Sequence, residues 1–176
     1  MPAPSCTARG FTLIEVLVVV VIIAVMTAVA VFSLGVLGKD RGLETEGERL
    51  TDIIGAAIEQ AGLEGQDFGL WVGSDRYQIM RLNAAAQTWE SIPNDRLYEL
   101  HRFAEGITAK LQIESKVVLL AEPDSKLKKE PQVYFFAGGE ASPYELTLKR
   151  AGSNDVLRIQ GAVDGGMSVH KPGEKR

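Results

Sequence analysis

One carboxylate stands where an acidic side chain is least expected. Glu15 lies at the mouth of a run, 16–38, that holds no charged residue and whose first ten residues read Val-Leu-Val-Val-Val-Val-Ile-Ile-Ala-Val. A carboxylate at the centre of a bilayer costs roughly 2.5–3.5 kcal/mol on insertion scales, and less near the interface. Two outcomes are open to it. It can snorkel to the headgroups, or it can pair with a cation. A cut after Gly10 supplies one, because the new amino group of Phe11 then lies one helical turn from Glu15, in the same or a neighbouring subunit. Such a pair is favourable where it replaces an unpaired buried charge.

Other residues able to do chemistry are few. The single cysteine, Cys6, excludes an internal disulfide framework and any Cys-rich zinc site. Two histidines, His101 and His170, leave little material for a metal or catalytic centre, and His101 beside Glu99 and Arg102 reads as a surface residue. No G-x-S-x-G, Gly-rich phosphate loop, H-E-x-x-H or C-x-x-C occurs, and 161–166 lacks the dinucleotide spacing. The carboxylates nearest to a calcium pattern, Asp155 and Asp164, lack dense alternating acidic neighbours. The sequence therefore predicts no catalytic site, no metal and no cofactor.

The elements that position Glu15 follow from composition and period. The 23 residues from 16 to 38 would form a helix of roughly 34 Å, enough to cross a ~30 Å hydrocarbon core. A polar leader, 1–10, precedes the run, and Lys39-Asp40-Arg41 marks its exit to water. No convincing small-residue cleavage site follows it, so the apolar segment is expected to stay with the mature protein. Beyond it, Leu43, Leu50, Ile54, Ala57, Ile58 and Ala61 recur at helical spacing, with Glu44, Glu46, Glu48, Arg49, Asp52 and Glu59 mostly off that face. One helix from 11 to about 62 results. Gly62 and Gly65 are its expected stops.

From residue 67 the period changes to two. Strands are expected at 68–73, 76–82, 87–92, 107–114, 116–121, 132–136, 144–150 and 155–160. Tyr144, Leu146 and Leu148 alternate with Glu145, Thr147 and Lys149, as in a half-buried antiparallel strand. Residues 93–106 and 122–131 read as loops, and 171–176 as a frayed tail. The expectation is an α+β fold: a long amino-terminal helix packed on a carboxy-terminal antiparallel β-sandwich of about eight strands. Its parts are 1–10, a leader; 11–38, a transmembrane helix; 39–66, an amphipathic helix; and 67–176, a β-rich domain.

The segment Gly10-Phe11-Thr12-Leu13-Ile14-Glu15, followed by an apolar stretch, resembles the processing motif of type IV pilins and type II secretion pseudopilins. The resemblance implies that a prepilin peptidase cuts between Gly10 and Phe11 and N-methylates Phe11. It also implies that Glu15 docks an incoming subunit onto the growing filament. Cleavage would remove Cys6 and Arg9, leaving a mature chain without cysteine and with 18 Lys+Arg against 23 Asp+Glu, a net charge of −5.

Further along, Val133-Tyr134-Phe135-Phe136-Ala137-Gly138-Gly139-Glu140 and Ser142-Pro143-Tyr144-Glu145-Leu146-Thr147-Leu148 resemble the H-type minor pseudopilins of type II secretion. That resemblance implies a structural subunit near the tip of a periplasmic pseudopilus, helping to drive folded exoproteins across the outer membrane. Its implied partners are the I, J and K types and the major G-type shaft. Its implied location is the inner membrane, single-pass, with the carboxy-terminal domain in the periplasm. The T-type fimbrial minor pilins of type IV pili share this layout and leave an alternative in pilus assembly or DNA uptake. Lys126, Lys128 and Lys129, or Lys171, Lys175 and Arg176, are the candidate basic patches for it. They are interleaved with acidic residues in a chain of net charge −4, so no nucleic acid is expected as a partner.

Overall fold

A computed structural model describes residues 12–122 and 129–171, without the side chains of 29–40. One helix, α1, runs Leu13–Glu64. The chain divides into two compact units, Met1–Lys39 and Asp40–Arg176. In the first, every described side chain from Leu13 to Ala28 is exposed.

In the second unit α1 buries one face. Leu43, Leu50, Ile54, Ala57 and Ala61 have no exposed surface, as their spacing of three, four and seven requires. Glu46 is buried with them, which the sequence reading did not expect. It sits three residues after Leu43 and four before Leu50, so helical geometry brings it to the edge of the apolar face. The helix ends as Gly65 takes φ +62°, and the Gln66 N–H donates to Ala61 O at 3.3 Å, closing the six-to-one ring of a Schellman turn.

Ten strands follow. They are β1 (Phe68–Val72), β2 (Arg76–Asn83), β3 (Thr88–Ser91), β4 (His101–Arg102), β5 (Ile107–Ile113), β6 (Lys116–Val118), β7 (Val133–Phe135), β8 (Tyr144–Arg150), β9 (Val156–Gly161) and β10 (Met167–His170). One five-stranded sheet has the order β3-β2-β1-β7, with β4 also paired to β2; the other has the order β10-β9-β8-β5-β6. All ladders are antiparallel. The expected eight strands all exist, β6 being shorter than foreseen. The additions are β4, inside a stretch read as loop, and β10, which pairs with β9 across the turn at 162–166.

Both sheets contribute to one core with α1. Leu70, Tyr77 and Ile79 come from the first sheet, and Leu111, Leu146, Leu148, Leu157 and Ile159 from the second, all fully buried. Each such leucine or isoleucine contributes about 1.5–3 kcal/mol of hydrophobic stabilisation. Tyr144, opposite Gly161 in the β8–β9 ladder, lays its ring across the space where a side chain at 161 would stand.

Candidate functional site

The candidate site is the start of α1. Gly10 and Phe11, where the sequence reading puts cleavage and methylation, lie outside the described residues. Thr12 is the residue at which the helix begins. Its carbonyl accepts from the Glu15 and Val16 N–H groups at 3.1 and 3.3 Å, and its Oγ1 accepts from the Glu15 N–H at 3.3 Å. Thr12 is thus the amino-terminal cap, and Glu15 is the third residue of the helix. Sequence reasoning missed Thr12. The Thr-x-x-Glu spacing of a capping box was the signal that could have found it.

The cap decides where the carboxylate sits. In the first turn Glu15 meets unsatisfied backbone N–H groups and the positive end of the helix dipole, worth typically 0.3–1 kcal/mol. Around it Leu13, Ile14 and Val16 are 85, 70 and 54% exposed. Among the described residues Glu15 has no ion-pair partner. The arrangement is a single anion on an apolar helical surface, able to receive one cation. Farther along, the Thr27 hydroxyl donates back to Ile23 O at 2.7 Å, so this polar side chain is satisfied within the helix. Among the described residues no helix is long and apolar enough to cross a membrane. Described side chains of the apolar run end at Ala28.

The histidines do not form a second site. His101 is partly exposed on β4, its ring 5.4 Å from that of Tyr77. Nε2 of His101 lies 3.0 Å from Leu97 O, and Nδ1 pairs with the Arg49 guanidinium. Glu46 lies below, 4.0 Å from Arg49. Burial raises its carboxyl above the usual range, and the charges of Arg49 and His101 only partly oppose this. Burial likewise pushes the Tyr77 hydroxyl up to about 12. This cluster fastens 97–101 to α1. It contains no exposed nucleophile.

The remaining candidates are occupied locally. Asp155 accepts from the Ser153 hydroxyl, and Asp164 Oδ1 accepts from the Gly166 N–H at 3.0 Å, so each closes its own turn. Among the described residues no group of three potential metal ligands occurs. Of the two basic patches, Lys126, Lys128, Lys175 and Arg176 lie outside the described residues. Lys129 donates to Gln78 Oε1 at 2.9 Å and lies 5.1 Å from the Trp71 ring centre, while Lys171 bridges Glu44 and Glu48. These cations are held by the protein itself.

Residues 6–38, which include Gly10, Phe11 and Glu15, match the family described as the prokaryotic N-terminal methylation motif. Over 149 residues the chain is 35% identical to the type II secretion system protein H of Pseudomonas aeruginosa, covering 82% of this chain and 84% of that protein. The chain belongs to the type II secretion system protein H family. Escherichia coli K12 has a protein H with 29% identity over 154 residues, 85% of each chain.

Solved structures of family members show the same fold. The minor pseudopilin EpsH of Vibrio cholerae superposes with a TM-score of 0.65 at 20% identity, over 78% of this chain and 99% of that one. The solution structure of Escherichia coli GspH gives 0.60 at 20% identity, over 78 and 94%. Membership of the protein H family makes this chain a minor pseudopilin and favours type II secretion over the type IV pilus alternative.

Proposed function

We propose that this minor pseudopilin is made as a prepilin with residues 1–10 as leader, and that prepilin peptidase cuts between Gly10 and Phe11 and methylates Phe11. Residues 11–38 then hold it in the inner membrane as a single span, with 39–66 and 67–176 in the periplasm. It takes a place near the tip of the pseudopilus, where it joins the I-, J- and K-type minor pseudopilins to the G-type shaft. Its contribution to export of folded proteins is structural, with no reaction of its own. The observation carrying this reading is the Thr12-capped helix start, with one carboxylate in its first turn among exposed apolar side chains. In that setting Glu15 receives the amino group of Phe11 in the same or a neighbouring subunit, and the pair sets axial register.

Glu15→Ala tests the docking step. Leader cleavage should remain intact while incorporation into the filament falls. Filaments and secretion like those of the wild type would show that the charge does not dock the subunit. Co-purification of tagged 39–176 with the soluble domains of I-, J- and K-type pseudopilins, with duplex DNA in parallel, tests placement. Retention of the pseudopilins and not of DNA is expected.

A further inference from the structure

The outer face of the second sheet concentrates positive charge in a chain whose net charge is −4. The ladder registers put Lys110, Thr147, Arg158 and His170 in one row across β5, β8, β9 and β10. Lys149 lies one row farther along β8, on the same side. The opposite side of these strands carries Leu111, Leu148 and Leu157, fully buried, so the cationic side is the solvent side. Among the described residues Lys110, Lys149 and Arg158 have no ion-pair partner. The one carboxylate within that face, Glu145, accepts from Gln160 at 2.9 Å.

The same chain carries a complementary surface. Asp52 and Glu59 are exposed on α1, two turns apart, on the side away from Leu50, Ile54 and Ala57. Neither has an ion-pair partner among the described residues. Seven residues of helix separate them by about 10.5 Å. Lys110 and Arg158 lie two strand spacings apart, about 9.6 Å. A helix laid across the strands therefore brings one carboxylate to each cation.

We infer that the outer face of the second sheet docks the carboxylate face of α1 from a second copy of this chain. The two patches differ, so the contact is head-to-tail and leaves one of each kind free on the pair. This goes beyond the tip placement and does not depend on Glu15 or on leader cleavage. Charge complementarity selects the partner, and salt weakens the contact.

The test uses the full chain in detergent, with Cys6→Ser throughout. One tagged version carries Lys110→Cys and a second carries Asp52→Cys; they are mixed and treated with a short bis-maleimide. A cross-linked product containing both tags is expected at low salt, falling at least about fivefold near 0.5 M NaCl, as exposed ion pairs are screened. Arg158→Glu on the first chain should remove the product, and Glu59→Lys on the second should restore it. Circular dichroism with the milder Arg158→Gln keeps loss of contact distinct from loss of fold. Absence of the mixed product, indifference to salt, or failure of Glu59→Lys to restore it would overturn the inference.

Discussion

Gly161→Ala adds one methyl group and should weaken the domain more than its size suggests. The new Cβ would stand 2.6 Å from Tyr144 Cδ1 and 2.7 Å from Cζ, and closer still to Cε1. These atoms belong to a rigid ring that is only 5% exposed, so they cannot swing into solvent. The φ of Gly161 lies outside the left-handed region, and the change should otherwise gain about 0.4–1 kcal/mol by restricting the unfolded chain. Overpacking of a core costs typically 1–3 kcal/mol, and atoms within 2.7 Å belong at the upper end. The expected net loss is therefore about 2 kcal/mol, a fall in Tm of roughly 8 °C for a domain of this size. Urea unfolding at constant m would measure it. The cause is checked by repeating the change in a Tyr144→Leu background, where the ring is gone. There Gly161→Ala should be neutral or slightly stabilising, giving a coupling of about 2 kcal/mol. A rise in stability in the parent, or the same loss in both backgrounds, would refute the reasoning.

Three other outcomes are expected. Tyr144→Phe should stabilise by about 1 kcal/mol in thermal melts, because its hydroxyl is buried without a hydrogen-bond partner among the described residues. Leu50→Ala, at a position with no exposed surface on α1, should cost about 2–5 kcal/mol in urea unfolding. Glu46 carries a folded-state pKa raised by burial, so the native state holds its proton more tightly than the unfolded chain. Its contribution to stability is thus full below the ordinary carboxyl value of 4.5 and is lost as pH rises through the folded value. Glu46→Gln should flatten that fall and stabilise the domain more at pH 7 than at pH 4, as read from urea midpoints; an unchanged pH profile would contradict the assignment.

How far the sequence could be read depended on how many residues carried each signal. The buried face of α1 was visible because six apolar positions share one period, and β8 because the six residues from Tyr144 to Lys149 alternate without interruption. β4 was invisible: two residues, His101 and Arg102, have no period, and they are ordered by pairing with Tyr77 and Arg76 far away in the chain. β10 has four residues and exists through its register with β9. Glu46 stands in a group of charged residues that fall mostly off the apolar face, although its place beside Leu43 and Leu50 was calculable. At the candidate site Glu15 announced itself as a charge in an apolar run. Thr12 did not, since a threonine there is unremarkable until its hydroxyl is seen on the Glu15 amide. The cationic row was hidden for another reason. Lys110 and Arg158 are far apart along the chain and come onto one row only through strand register.

The continuity of α1 has a mechanical meaning. Its buried stripe, from Leu43 to Ala61, lies within the stretch of α1 that belongs to the second unit, which begins at Asp40. A pull applied along the helix at that point cannot peel the domain open one side chain at a time. It loads Leu43, Leu50, Ile54, Ala57 and Ala61 in parallel, as shear against both sheets, so all these contacts must yield together. A force applied to the domain at that point is in this way met by the whole stripe at once, as by a socket around a rod.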